Sequence, residues 1–174
     1  MRIDDDMKLD YKDVLIRPKR STLESRKEVD LERKFIFLNY SPDYPNSTGP
    51  YNYEGIPIMA ANMDGVGTFE MADKLSLESA FTCLVKTYSV NDLVDYFDSD
   101  NVLRTEYTAM SIGISDRDHE KFRTVYEQVD DQLKYVCIDV ANGYTVRFSN
   151  FIKEFRSLYP RIVIIAGNVV TADQ

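Results

Sequence analysis

Two charged residues stand at positions that suit reactive chemistry. Lys86 closes the apolar run 81–85, and Asp139 lies within the end of the run 135–140. An ammonium and a carboxylate at the ends of buried strands are partly desolvated, which perturbs their pKa values and fits them to orient a cofactor or steer a proton. The same placement also suits a structural ion pair, and both readings stay open on these residues alone. Polar side chains accompany every other apolar run. Asn62 and Asp64 follow 56–61, Ser111 and Ser115 flank the end of 107–114, Asn142 follows Asp139, and Asn168 follows 162–166. Some of these are caps and turn formers. Polar groups at the carboxyl end of each of five strands are nevertheless what an α/β active-site face requires.

Other chemistry-bearing residues point less far. Gly65-Val66-Gly67 follows a strand and opens a helix, but Glu70 stands where a dinucleotide fingerprint needs its third glycine, so a tight βα turn suffices. Cys83 and Cys137 lie mid-strand with no histidine near in sequence, and they read as reduced core thiols rather than nucleophiles or a disulfide. The single histidine, His119, sits among charges in DRDHEKF and reads as exposed. One His and two separated Cys assemble no zinc-type cluster. Ser25-Arg26, in the basic stretch RPKRSTLESRK, has the chemistry to hold a phosphate, although such arms are more often simply solvated.

The elements that must position these residues follow a regular rhythm. The five apolar runs alternate with helix-patterned stretches at 69–77, 90–97, 116–129 and 146–158. Ser89 with Asp92, Ser115 with Asp118, and Thr145 supply N-terminal caps. Strand–helix alternation of this kind predicts parallel βαβ units, and near-continuous apolar strands predict a sheet covered on both faces. An open doubly wound sheet and part of a closed barrel both satisfy that pattern. Ahead of it, residues 28–38 alternate like a hairpin strand or an N-terminal arm, and 41–54 (SPDYPNSTGPYNYE) read as a loop or lid. The last residues, RIVIIAGNVVTADQ, give a buried strand, a turn and a capping box at Thr171 to Gln174 that announces a further helix.

Composition narrows the classes. A chain of 174 residues suits one domain, and its net charge of −8 disfavours nucleic acid as the main partner. An anionic small ligand is still compatible, because backbone N–H groups and a few local cations hold phosphate. No run approaches the roughly 20 apolar residues of a membrane span. The acidic first six residues lack the apolar stretch of a secretory signal, so a cytoplasmic protein is expected.

Four segments together resemble the IMP dehydrogenase/GMP reductase superfamily. They are KLDYKDVLIRPKRSTLESRKEVDLER (8–33), GIPIMAANMDGVGTFEMA (55–72), YVCIDVANGY (135–144) and AGNVVT (166–171). The similarity runs in register over essentially the whole chain. DVANGY and AANMD favour the reductase branch, as does the absence of a regulatory insertion between the second and third strands. The resemblance implies a (β/α)8 TIM barrel and an NADPH-dependent reductive deamination of GMP to IMP and ammonia. A cysteine after the sixth strand would attack the purine, splitting one hard substitution into two easier steps. By position, Asp139, Val140 and Ala141 would line the NADPH site, with Lys86 reaching the same region as a catalytic group beside Asp139. Ser25 and Arg26 would touch the cofactor of a neighbouring subunit, Met63 would pack near the purine, and Asn168 would floor the pocket.

Departures from the family pattern are also visible. Its His-Lys-His after the second strand is Val85-Lys86-Thr87 here, and the Thr usual after AANMD is Gly65. The family's Thr that helps expel ammonia falls among residues 111–115, where Ile112 and Ile114 stand and neither donates nor accepts a proton. A barrel of this class takes about 250 residues or more. Residues 1–54 are therefore expected to form an arm, hairpin and loop, and 55–174 the first five strands of an incomplete barrel. The expected partner is a complementary C-terminal half with strands six to eight, the catalytic Cys and the monovalent-cation (K+) site. The assembled protomer would form a tetramer, as the family does. Half of an IMP dehydrogenase, or a non-catalytic module that binds a reductase, are the alternatives.

Overall fold

A computed structural model describes residues 7, 9–37 and 52–171. The chain divides into two compact units, Met1–Asp30 and Leu31–Gln174. The described part of the first unit holds two 3-10 turns, Tyr11–Asp13 and Arg26–Glu28, neither with a buried residue. Asp10 caps the first through a reciprocal capping box, and Ser25 caps the second by accepting from the Lys27 N–H at 3.2 Å.

The second unit is an α/β fold built on a six-stranded sheet in the order β1-β2-β3-β4-β5-β6. The strands are β1 (Arg33–Ile36), β2 (Asn52–Ala60), β3 (Ala80–Cys83), β4 (Thr108–Ile112), β5 (Tyr135–Asp139) and β6 (Val163–Gly167). β1 runs antiparallel to β2, and every later pair is parallel. The helices are α1 (Phe69–Ser76), α2 (Val90–Phe97), α3 (Val102–Tyr107), α4 (Asp116–Val129) and α5 (Val146–Leu158). β2 to β6 are thus the five expected strands, and four of the helices are the four expected ones.

Capping explains where the helices start. Thr68, Ser89, Ser115 and Thr145 each accept a hydrogen bond from a backbone N–H in the first turn. In α2 and α4 the bond is returned by Asp92 and Asp118, completing two capping boxes. The turn before α1 needs its glycines. Gly65 has φ +75, and a Cβ on Gly67 would lie 2.3 Å from the Cys83 carbonyl oxygen, so the turn packs directly on β3.

Three expectations change. Residues 52–54 belong to β2 rather than to a loop, because they pair with β1; the rest of the expected lid, 41–51, and the final capping box, 172–174, lie outside the described residues. Helix α3 is new. Its six residues are tied to α1 by Arg104, which grips Asp73 with two bonds of 2.9 and 3.0 Å and lies 4.4 Å above the Tyr96 ring. His119 is half-buried rather than exposed, ringed by Phe151, Phe155 and Tyr159.

Alternation along the strands divides the apolar residues between two cores. Met110, Ile112, Val136 and Ile138 face the helices and pack with Leu93, Phe97, Phe122, Phe148 and Phe155. Phe81, Cys83, Ala109, Tyr135 and Val163 gather on the other face with Tyr53, in a cluster made of strand residues.

Candidate functional site

The site lies at the carboxyl ends of the strands. Lys86 follows β3 and Asp139 ends β5, with β4 between them, so the two come from alternate strands. Their side chains nevertheless meet: Lys86 Nζ is 3.5 Å from Asp139 Oδ2. Asn62, just after β2, donates from Nδ2 to the same oxygen at 3.2 Å. Asn168, just after β6, donates to Asp139 Oδ1 at 3.4 Å and to the Val140 carbonyl at 3.0 Å. Asp139 therefore holds one ammonium and two amides from three different strand ends.

Backbone pairing fixes this cluster in place. The Val140 N–H donates to Gly167 O at 2.8 Å and the Asn168 N–H to Val140 O at 2.8 Å, extending the β5–β6 ladder past the strands. A Cβ on Gly143 would fall 2.8 Å from the Asn168 carbonyl oxygen, so only glycine lets the β5–α5 loop close over the residues after β6. Tyr144 Oη then accepts the Val170 and Thr171 N–H groups, each at 2.7 Å. The result is a groove lined by Asn62, Cys137, Asp139, Asn168 and Val169.

The loop that carries Lys86 is held from α4. Lys121 Nζ donates to the Lys86 carbonyl at 2.8 Å and to the Tyr88 carbonyl. Burial pulls the Lys121 pKa below the usual lysine value, and Asp118 opposes that shift. Burial pushes the Asp118 carboxyl up, but bonds from the Ser115 hydroxyl and from backbone N–H groups outweigh it, so its pKa lies below the usual carboxylate value.

Of the residues expected at the site, Lys86, Asp139 and Asn168 come together, and Val140 joins them through its carbonyl, which accepts from Asn168, while its side chain packs against the helix-facing core. Ala141 follows Val140 in the exposed loop. Met63 is 63% exposed, and its carbonyl accepts the Val66 and Gly67 N–H groups at 3.0 and 2.9 Å. Ser25 and Arg26 belong to the first unit, where Ser25 serves as a cap. Ile112 is buried in the helix-facing core and Ile114 packs against it, so Ile112 points away from the groove. Asn62 was visible only as one polar strand-end residue among several, and Lys121 gave no signal inside a run of charges.

Chemically, the cluster offers one strong acceptor, Asp139, surrounded by the donors Lys86, Asn62 and Asn168. Such a set complements a planar amide, which presents one carbonyl acceptor and two N–H donors.

The family model described as IMP dehydrogenase / GMP reductase domain matches residues 8–174. A GMP reductase of Caenorhabditis elegans is 46% identical over 172 residues, covering 99% of this chain and 45% of that protein. GMP reductase 1 of Homo sapiens is 48% identical, again over 99% of this chain and 47% of its own length. The chain thus spans about half the length of the curated relatives it matches. The inosine 5' monophosphate dehydrogenase of Legionella pneumophila shares the fold, with a TM-score of 0.68 over 92% of this chain and 44% of that one at 21% identity. The matched domain takes in both units and every strand of the sheet, so the Lys86–Asp139 cluster is part of a domain of known type: the chain belongs to the IMP dehydrogenase/GMP reductase family.

Proposed function

We propose that this chain is the N-terminal half of a GMP reductase-type enzyme, with β2 to β6 forming five strands of a (β/α)8 barrel. A complementary C-terminal part supplies the remaining three strands, the catalytic cysteine and the K+ site. The assembled protomer carries out NADPH-dependent reductive deamination of GMP to IMP and ammonia, within a tetramer. The observation that carries the proposal is Asp139 held by Lys86, Asn62 and Asn168 at four strand ends, in a chain nearly half identical to GMP reductases.

The residues present fit a nicotinamide cofactor. The carboxamide of that ring has one acceptor and two donors, and the cluster offers the complement: Asp139 to accept, Lys86 and the two asparagines to donate. Gly143 lets the β5–α5 loop pack directly on Asn168 and Val169, two of the residues that line the groove. NADPH, when bound, supplies the hydride. Within this chain, Asp139, Val140 and Ala141 line that site, while Lys86 orients the bound group and balances the Asp139 charge. Met63 packs beside the purine, Asn168 floors the pocket, and Ser25-Arg26 reach the cofactor of a neighbouring subunit.

Co-expression with the C-terminal half of a GMP reductase relative tests the proposal. The expected result is a co-purifying complex that oxidises NADPH only when GMP is added. A complex that forms but shows no GMP-dependent oxidation overturns the assigned activity. NAD reduction with IMP instead assigns the dehydrogenase reaction. A chain that is a monodisperse, cooperatively folding monomer without any partner overturns the half-barrel.

A further inference from the structure

Lys86 has to reach over a strand to meet Asp139. It lies three residues past the end of β3, in the turn before the Ser89 cap of α2, and Asp139 ends β5 with β4 between them. Neighbouring strands lie about 4.8 Å apart, so the two backbones stand roughly 10 Å from each other. The β3–β4 register ends at Cys83↔Ala109, which leaves Lys86 beyond it. A lysine stem is a flexible four-carbon chain, so where its ammonium arrives depends on where its own backbone is held.

The turn is held at three places. The Val85 N–H donates to Gly67 O at 2.8 Å. The Tyr88 ring stacks on Phe69 at 3.8 Å, and its hydroxyl accepts the Phe69 N–H at 3.2 Å. Between these anchors Lys121 enters from α4, 35 positions along the chain, and donates to the carbonyls of Lys86 at 2.8 Å and of Tyr88. A bond to the Lys86 carbonyl acts on the peptide next to the side chain that has to be aimed.

Helix α4 is itself referenced to the intervening strand. Its first turn is closed by the Ser115–Asp118 capping box. A Cβ on Gly113, the residue after β4, would lie 2.7 Å from Asp118 Oδ2, so that turn sits directly against the β4 end. Lys121, one turn further on, thereby ties the Lys86 turn to the strand that Lys86 must reach across. Misplacing a reacting group by about 1 Å can cost on the order of 100-fold in rate.

We propose that Lys121 is a positioning residue, which sets the reach of the Lys86 ammonium to Asp139 by holding the carbonyls of Lys86 and Tyr88. Its effect on turnover rests on the reductase reading, whereas its effect on the placement of Lys86 does not.

The test reads Lys86 directly. Brief acetylation of the folded 174-residue chain with limiting acetic anhydride, followed by peptide mass spectrometry, gives the reactivity of the Lys86 amine relative to the exposed Lys153 of α5. Asp139→Asn frees the ammonium from its carboxylate and sets the upper rate. Lys121→Met should raise the Lys86 rate several-fold toward that value. Lys121→Arg should keep the wild-type rate, because a guanidinium also spans carbonyls, as Arg156 does with those of Pro160 and Ile162. Circular dichroism checks each fold, and Lys121→Ala serves if the methionine variant misfolds. An unchanged Lys86 rate in a folded Lys121→Met or Lys121→Ala chain overturns the proposal. In the complex with the C-terminal half, Lys121→Met should lower kcat/KM for NADPH oxidation by about 10-fold or more, inside the range that misplacement costs. A double variant with Lys86→Met should be no slower than Lys86→Met alone. Losses that multiply in the double variant show Lys121 acting apart from Lys86 and overturn the positioning role. A wild-type complex without GMP-dependent oxidation overturns the reductase reading, and the Lys86 labelling then decides the role of Lys121 by itself.

Discussion

Asp139 is the residue on which the candidate site turns, because three donors from three strand ends converge on one carboxylate. Replacing it with Asn leaves the shape and removes the charge that Lys86 faces. In the reconstituted enzyme, Asp139→Asn and Lys86→Met should each lower kcat/KM for NADPH oxidation by about 100-fold or more, the scale of a lost positioned catalytic group. Steady-state assays of variants that still assemble measure this, and wild-type rates in either would exclude the residue from the site. Lys86 and Asp139 are half-exposed, so their ion pair adds little stability, and urea midpoints should barely move. That contrast separates a functional pair from a structural one. The pair was legible in the chain as two charges at strand ends. Its partners were not, since Asn62 has the same local signature as a turn asparagine, and only the fold brings it 77 positions along to Asp139.

Helix N-termini carry the sharpest local coding. Ser89-x-x-Asp92 and Ser115-x-x-Asp118 announce α2 and α4 in sequence and form reciprocal capping boxes in the structure. Ser115→Ala should cost about 1 kcal/mol by urea unfolding, the usual worth of such a cap. The Ser89 hydroxyl and backbone N–H lower the Asp92 pKa, and Ser115 bonds lower that of Asp118 against the pull of burial. A carboxyl depressed in the folded state stabilises fully above its unfolded value of about 3.9 and loses that contribution as pH falls through the folded value. Stability should therefore hold across neutral pH and begin to fall only below about pH 4, and Asp118→Asn should flatten that fall in a series of urea titrations. Helix α3 is the opposite case. VLRTEY is short and partly β-branched, and its one local helix signal is the Asn101 cap, which accepts from the Leu103 N–H at 3.2 Å. Arg104 on Asp73 and Tyr96 holds it, a tertiary tie that Arg104→Met would cut for roughly 1 kcal/mol, the upper end for a partly exposed pair.

Across the sheet, besides the outer side of β1, two stretches of strand have one side without a neighbour among the described residues. β1 pairs with residues 52–55 of β2, which leaves 56–60 paired on one side only, and β6 pairs only with β5. Pro57, Ile58 and Met59 from one edge and Val163, Ile164 and Ile165 from the other line the same apolar concavity. Open apolar edges of this kind recruit other strands. The isolated chain should therefore self-associate in light scattering, and co-expression with the C-terminal half should suppress the association. A stable monomer would count against the half-barrel.

Periodicity alone dictated most of the secondary structure, because alternation in the strands, the 3.6-residue pattern and Ser/Thr caps are local properties. The same local rules marked Lys86 and Asp139 as strand-end charges. Only the tertiary structure decided which of the polar strand ends touch, that Ile112 turns toward the helices while Ser111 and Cys137 share the other face, and that Lys121 anchors the Lys86 loop. Those outcomes depend on strand order and on the direction each residue faces, and both are fixed by contacts between segments tens of residues apart.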